Sequence, residues 1–507
     1  MPIEEGVTGG RGRADLPISL PPIDRASARS LQEQLYDGLR SAILTGQLRG
    51  GVRIPASRRL ATDLGISRNT VTLAVEQLVA EGFLEARVGA GTFVASTVPD
   101  HLVTSGTGRS AGPGTHALTL SRRGRLMTGP ALSRRRSDFP RAFWPGIAAP
   151  ESFPAASWSR LIRRHTQRAD RELLGYGDPA GYRPLQEAIA GYLATTRGVR
   201  CDADRVIVVG GSQAALNLCA RLLLDPDDIA AIEDPGYPPA REAFAGAGAS
   251  VLPVPVDAGG LVVTRLHEAS GVRLVYTTPS HQFPTGATMG IERRLALLDW
   301  ARMAGAWILE DDYDGEFRYA GRPLPALQGL DSDDRVIYVG TFSKVLAPGL
   351  QIGYLVVPPQ FSDSFAAARA QEDRGAPALE QAALADLIME GGFERHVRRT
   401  RMLYAERQAA FISEVNRQLP GLIDVRPAAA GMHLLGLLPS GTNAEEVSRL
   451  AAPPLRVAAP ALSTYAVATP VPPALLLGYA AAGTDEMRAG VHDLGVVLRT
   501  LARRTRT

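Results

Sequence analysis

Leu31, Leu35, Leu39 and Ile43 recur at every fourth position with polar residues between them. That spacing predicts an amphipathic helix ending near Thr45-Gly46. Next comes SRRLATDLG, residues 57–65, a short helical pattern that Ser57 could cap and Gly65 closes. In SRNTVTLAVEQLVAEG, residues 67–82, Ser67 takes the capping position, and Val71, Ala74, Val75, Leu78 and Val79 share one face. FLEARVGAGTFVAS, residues 83–96, reads as two short strands around the Gly89 to Gly91 turn. Helix, turn, helix and hairpin in this order predict a winged helix-turn-helix over residues 24–97, preceded by a flexible tail at 1–23.

From residue 98 the periodicity stops. Residues 98–137 are rich in Gly, Ser, Thr and Pro, carry Arg109, Arg122, Arg123, Arg125, Arg134, Arg135 and Arg136, and hold Asp100 as their sole acid. This composition predicts a basic, solvated linker, assigned to 98–140. Beyond it the pattern changes again. Apolar runs VIVVGG, IAAIED, VLPVPV, LVYTTP, WILEDDY, VIYVGTF and IGYLVVP alternate with helical segments such as AALNLCARLLL and IERRLALLDWARMAG. Such alternation predicts an α/β domain over 141–505, its mostly parallel sheet sandwiched by helices. Ligands in such sheets bind beyond the carboxyl ends of the strands.

A chain of 507 residues exceeds what one core holds, so two or three units are expected. Lys plus Arg number 55 against 52 Asp plus Glu, a net charge of +3, so any nucleic-acid contact must rest on a local patch. Cys201 and Cys219 are too few for a disulfide framework, which suits a reducing compartment. The opening MPIEEGVTGGRGRADLP holds acids and no apolar core, and no apolar run reaches the ~18 residues of a membrane helix. A cytoplasmic protein without membrane contact is expected.

Lys344, in TFSKVLAPG, is the only lysine in the chain. Codon bias toward arginine explains the scarcity. The one exception is either a straggler without meaning or a position that needs a nucleophile, because a guanidinium stays protonated whereas an amine of lowered pKa can attack a carbonyl and form a Schiff base. Three other stretches carry polar chemistry. VIVVGGSQAALNL runs strand, Gly210-Gly211-Ser212, helix; it can cradle a phosphate or simply make a structural turn with a serine cap. ILEDDYDGEF ends a strand with Asp311 and Tyr313 on one face and Asp312 on the other. An exposed acidic loop and a metal site are competing readings, and no metal is assigned. A carboxylate beside a phenol also suits the ring nitrogen and 3-oxygen of a pyridoxal group. In EDPGYPP, Tyr237 can stack on a flat cofactor or pack in the core.

The motifs YGDPAGYRPLQEAI, EDPGYP, TPSHQFPTG, LEDDYD and GTFSK followed by PGL and GY cover most of the large domain. The large domain resembles a fold-type I aminotransferase and residues 24–97 resemble a GntR-type winged helix. Their fusion through a long linker resembles the MocR-like subfamily of GntR transcription regulators. The resemblance implies pyridoxal 5'-phosphate as cofactor, with Lys344 as the Schiff-base lysine, Asp311 on the pyridine nitrogen, Tyr313 on the 3-oxygen and Tyr237 stacked on the ring. Gly211, Ser212, Gln213 and Thr341 would hold the phosphate, which Tyr176 would reach from the other subunit of a homodimer. On double-stranded DNA, Arg68, Asn69 and Thr70 would open the recognition helix, Arg58 would grip the backbone, and Arg87 with Gly89 would form the wing. Scaffold helices also begin with Ser-Arg.

Four positions depart from the family pattern. Gln351 stands where relatives carry an arginine on the cofactor phosphate, Phe283 where aminotransferases carry an asparagine on the 3-oxygen, and Pro239 and Thr464 where some members bind a substrate carboxylate through arginine. His281 or Gln282 could replace the missing asparagine. The resemblance implies a regulator that senses pyridoxal phosphate, an amine or an amino acid. The alternatives are a working aminotransferase with an appended DNA-binding domain and a regulator whose aminotransferase fold has lost the cofactor.

Overall fold

The computed structural model describes residues 23–96, 119–127, 142–168, 171–321, 325–372, 375–452 and 457–504. Nearly all of the expected tail and most of the arginine-rich linker lie outside the described residues. The chain divides into two compact units, Met1–Leu118 and Thr119–Thr507.

In the first unit, helix α1 (Leu31–Leu44) opens on a reciprocal capping box between Ser30 and Glu33. Strand β1 (Arg53–Ile54) follows, then α2 (Ser57–Leu64), α3 (Arg68–Ala80), β2 (Leu84–Arg87) and β3 (Gly91–Val94). The strands form an antiparallel sheet in the order β1-β3-β2. Leu35, Leu39, Ile43, Leu60, Val71, Ala74 and Leu78 are buried together, which is the core that the helical spacing predicts. Ser57 does not cap α2. Ala56 holds that position without a side-chain bond, and Ser57 is already helical. Ser67 does cap α3, accepting from the Thr70 backbone N–H at 3.0 Å. β1 carries too short a pattern to be read from sequence.

The second unit is built on an eight-stranded sheet. Its strands are β4 (Val206–Val209), β5 (Ile229–Asp234), β6 (Ser250–Asp257), β7 (Gly260–Leu261), β8 (Val272–Thr277), β9 (Trp307–Asp312), β10 (Val336–Thr341) and β11 (Gly353–Val356). They lie in the order β4-β11-β10-β9-β8-β5-β6-β7, with β7 and β11 antiparallel to their neighbours and the rest parallel. Helices cover both faces. Val206 and Val208 of β4 join Leu185 and Ile189 in one cluster, while Ile207 and Val209 join Leu216 and Phe244 in another. Period-two alternation of apolar side chains thus feeds two cores at once. A smaller antiparallel sheet, β12 (Asp424–Val425), β13 (His433–Leu437) and β14 (Ala474–Gly478), packs with the long helices Gly392–Gln418 and Thr484–Arg504. Inside the stretch read as linker, Arg122–Met127 forms a helical segment against helix Pro238–Ala247, and Arg123 donates to the Ala247 carbonyl at 3.0 Å. Among the described residues no helix is long and apolar enough to cross a membrane.

Arg197, which follows helix Arg183–Thr196, fastens the strand ends to one another. It donates to Asp312 of β9 at 2.7 Å and to Ser280 beyond β8 at 2.8 Å, and Tyr338 of β10 donates to the same carboxylate at 2.7 Å. The Arg197 and Asp312 side chains are 6% and 3% exposed. Removing one member leaves the other charge buried and uncompensated. Arg197→Met should therefore destabilise the protein by about 3–5 kcal/mol, measured as the loss in unfolding free energy by urea titration; a change below about 1 kcal/mol would refute the fastening role.

Candidate functional site

Lys344 lies just beyond β10, and its Nζ donates to the Gly146 carbonyl at 2.9 Å. Gly146 has φ of 70°, a conformation that favours glycine, and a Cβ there would sit 3.0 Å from Nζ, so a side chain would push the amine back by a few tenths of an ångström. Asp311 of β9 directs Oδ2 to the Tyr276 hydroxyl at 2.8 Å, whereas its buried Oδ1 has no hydrogen-bond partner. Burial pushes the Asp311 carboxyl up to about 7, against the opposing pull of Tyr276 and Lys344. The alternation read from ILEDDYD is what the strand delivers. Asp311 takes one side, and Asp312 turns to Arg197 on the other.

Tyr313 extends the Asp311 side, with its hydroxyl 3.0 Å from His281 Nδ1. Burial, then Asp314, holds the Tyr313 phenol well above its ordinary pKa, so it keeps its proton. Tyr237 follows β5 and meets Phe283 edge to face, with centroids 5.5 Å apart. Phe283 is the hub of a ring cluster, with Tyr313, His433 and Tyr465 also around it. Burial and His281 push the His433 imidazole down to about 3, which keeps it neutral. The Tyr465 segment is tied to the end of β5, because Asp234 accepts backbone N–H bonds from Val467, Ala468 and Thr469.

On β10, Thr341 pairs with Gly353 of β11, which in turn pairs with Val209 of β4. This register sets Thr341 and the Gly210-Gly211 turn on either side of Gly353. Gly211 has φ of 89° and stands before helix Ser212–Leu223, so Ser212 is the first helical residue rather than a cap. Thr341 Oγ1 accepts from the Ser343 N–H at 3.2 Å, and the Gln213 amide lies 3.4 Å from the Pro239 carbonyl. A helix N-terminus with two flanking hydroxyl residues suits a phosphate. Tyr176 is 78% exposed in this single chain.

The departures resolve unevenly. Gln282 is committed elsewhere, since its amide donates to Glu233 at 3.1 Å and to the Pro235 carbonyl at 3.0 Å. His281 reaches Tyr313 instead. Gln351 is exposed, with φ of 49°, at the end of the Pro348–Leu350 turn. Thr464 lies in the short helical turn Leu462–Tyr465, and Pro239 in the first turn of helix Pro238–Ala247. Tyr276, Gly146 and His433 escape the sequence reading, because each sits in an apolar or turn context without a motif of its own. Asp314 stands in the acidic run without a role assigned from sequence, and its pairing with His281, 33 positions away, has no local mark.

In the first unit, Arg58 occupies the first turn of α2, and Arg68 and Asn69 begin α3, all three exposed. Thr70 is half-buried, with its hydroxyl 2.8 Å from that of Ser67, so it belongs to the cap. Arg87 ends β2, lies 4.8 Å from the Phe93 ring centroid and pairs with Glu85 at 3.4 Å. Gly89 takes φ of 75° in the hairpin turn.

The buried Asp311 oxygen has a measurable consequence in the cofactor-free chain. Its carboxyl binds protons more tightly folded, at about 7, than unfolded, near the ordinary aspartate value of 3.8. The folded state then holds more protons between these values, so this contribution to stability is present at acid pH and is lost as pH rises toward 7. Asp311→Asn should remove that dependence and raise stability at pH 8 by at most about 4 kcal/mol, read from urea midpoints across pH. Parallel profiles for the two proteins would contradict the assignment.

Residues 151–489 match the family model for aminotransferase class I and II, and residues 31–94 match that for bacterial regulatory proteins of the gntR family. The chain is 42% identical to the probable rhizopine catabolism regulatory protein MocR of Rhizobium meliloti, over 93% of this chain and 94% of that one. It is 32% identical to the pyridoxine biosynthesis transcriptional regulator PdxR of Corynebacterium glutamicum, over 94% and 97%. Among solved structures, the kynurenine aminotransferase of Pyrococcus horikoshii aligns with a TM-score of 0.66 at 28% identity, covering 72% of this chain and 92% of that one. LysN of Thermus thermophilus, solved with N-(5'-phosphopyridoxyl)-L-leucine, gives 0.66 at 29%, over 71% and 92%. A winged helix-turn-helix and an aminotransferase fold in one chain, with likeness to a MocR protein along nearly its whole length, make this chain a member of the MocR-like subfamily of GntR transcription regulators.

Proposed function

We propose that the protein is a cytoplasmic, homodimeric transcription regulator that binds operator DNA through residues 24–97 and pyridoxal phosphate through residues 141–505, with 98–140 connecting them. The observation that carries the cofactor assignment is the buried Asp311 Oδ1, an acceptor that no protein donor satisfies, on the same side of β9 as Tyr313 and beside the sole lysine. The kinship with a regulator named for pyridoxine biosynthesis supports it. When bound, pyridoxal phosphate supplies an aldehyde that condenses with amines and a ring that accepts electrons. Lys344 provides the amine that holds it. Asp311 accepts the ring N–H and gains a cation that offsets its burial, Tyr313 donates to the 3-oxygen, and Tyr237 covers the ring. Gly211, Ser212, Gln213 and Thr341 hold the phosphate, joined by Tyr176 of the second subunit. An amine or amino acid effector that competes for the Lys344 position changes which contacts the large domain makes, and thereby biases DNA binding.

Borohydride treatment of the loaded protein followed by peptide mapping should place the pyridoxyl group on Lys344 alone. Label found only on the N-terminal amine, or an unchanged visible spectrum in Lys344→Ala, would remove the assignment. For DNA, Arg68→Ala should cost about 1–3 kcal/mol of specific binding, and Arg58→Ala should weaken binding to all sequences and flatten its salt dependence. Mobility shifts insensitive to both changes would overturn the recognition-helix reading. Amine-dependent shifts without keto-acid-dependent turnover separate a sensor from a working aminotransferase.

A further inference from the structure

Asp314 and His281 stand directly behind Tyr313. His281 Nδ1 lies 2.9 Å from Asp314 Oδ2 and 3.0 Å from the Tyr313 hydroxyl, and the His281 and Asp314 side chains are 2% and 1% exposed. An ionised carboxylate can only accept, so the proton on this imidazole belongs on Nδ1. The other nitrogen, Nε2, is buried with no hydrogen-bond partner, and no protein acceptor draws the proton there. With Nδ1 a donor, the Tyr313 oxygen facing it can only accept, and the Tyr313 hydrogen must point elsewhere. The ring has little freedom to change this. A Cβ on Gly431 would collide with it, and one on Gly286 would approach Nε2 to 3.2 Å. His433 closes a further side, at a centroid separation of 5.1 Å.

From this geometry we propose that Asp314 and His281 are positioning residues that fix the Tyr313 hydroxyl as a donor aimed at the 3-oxygen of the cofactor. The inference rests on the pyridoxal phosphate site proposed above, and it assigns to this pair the orienting role left open where Phe283 replaces a polar side chain. Phe283 contributes only its ring edge and face at that place. Other titratable or charged groups face the pair. Asp311, Asp312 and Glu233 act on the phenol, His433 lies against the imidazole with Lys344 acting on it, and Arg197, Arg294 and Arg318 line the cavity beside His281. All are unchanged in the variants below.

With the cofactor bound, a Tyr313 donor on its 3-oxygen would withdraw charge from the conjugated system, and the nitrogen that Lys344 supplies would hold its proton less tightly. The test is the pH titration of the visible absorbance of the pyridoxal-phosphate-loaded full chain. Tyr313→Phe should raise the apparent pKa by about one unit, the size expected for one charge-assisted hydrogen bond. His281→Gln and Asp314→Asn should each raise it by part of that amount, and neither should add to the shift in a Tyr313→Phe background. Titrations matching the wild type, or shifts that persist without the phenol, overturn the proposal. Absence of a visible band in the loaded wild type overturns the cofactor site itself. If a variant does not take up cofactor, proton NMR of the cofactor-free proteins decides. A low-field Nδ1–H resonance should be present in the wild type, absent in His281→Gln and moved upfield in Asp314→Asn; its absence in the wild type refutes the pair.

Discussion

The pleat of one strand sends two adjacent carboxylates into different surroundings. Asp312 enters a closed network with Arg197 and Tyr338, and Asp311 is left with one oxygen satisfied and one bare. The closed side holds helix Arg183–Thr196, the residues beyond β8 and the end of β10 in register. The open side inherits that rigidity. A bare carboxylate oxygen is costly in an apolar interior, and it persists here because the strand carrying it is fixed from behind. Lys344 and the Asp311–Tyr313 pair sit at the ends of the two strands, β10 and β9, that this fastening joins.

A second theme is orientation through intermediaries. Glu233 gathers Thr277, Thr278 and Gln282 around itself at the end of β5, which takes Gln282 out of the site. Asp314 acts on His281 in the same manner, and Asp234 holds the Tyr465 segment by its backbone. In each case a buried acid decides where its neighbour can point.

Much of this was legible in the chain because it follows from local periodicity. Leu35, Leu39 and Ile43 announced their helix, and the runs ending in Glu-Asp and Asp-Asp announced buried strands with chemistry at their tips. Lys344, Asp311 and Tyr313 stood out because a nucleophile, an acid and a phenol at strand ends have few structural reasons to be there. Pairings that close through space were not legible. Arg197 reaches Asp312 across 115 positions, and Lys344 reaches Gly146 across 198, with nothing local to mark either partnership. The cap of α2 failed for a subtler reason. Both Ala56 and Ser57 can begin that turn, and the backbone chose the one without a side-chain acceptor.

The bond from Lys344 to the Gly146 carbonyl joins the amine directly to the main chain, 198 positions earlier in the sequence. A group that claims the amine leaves that peptide oxygen in need of another donor. Any change at the Lys344 amine is thereby registered in the main chain, as an altered hydrogen-bonding balance of the Gly146 peptide unit.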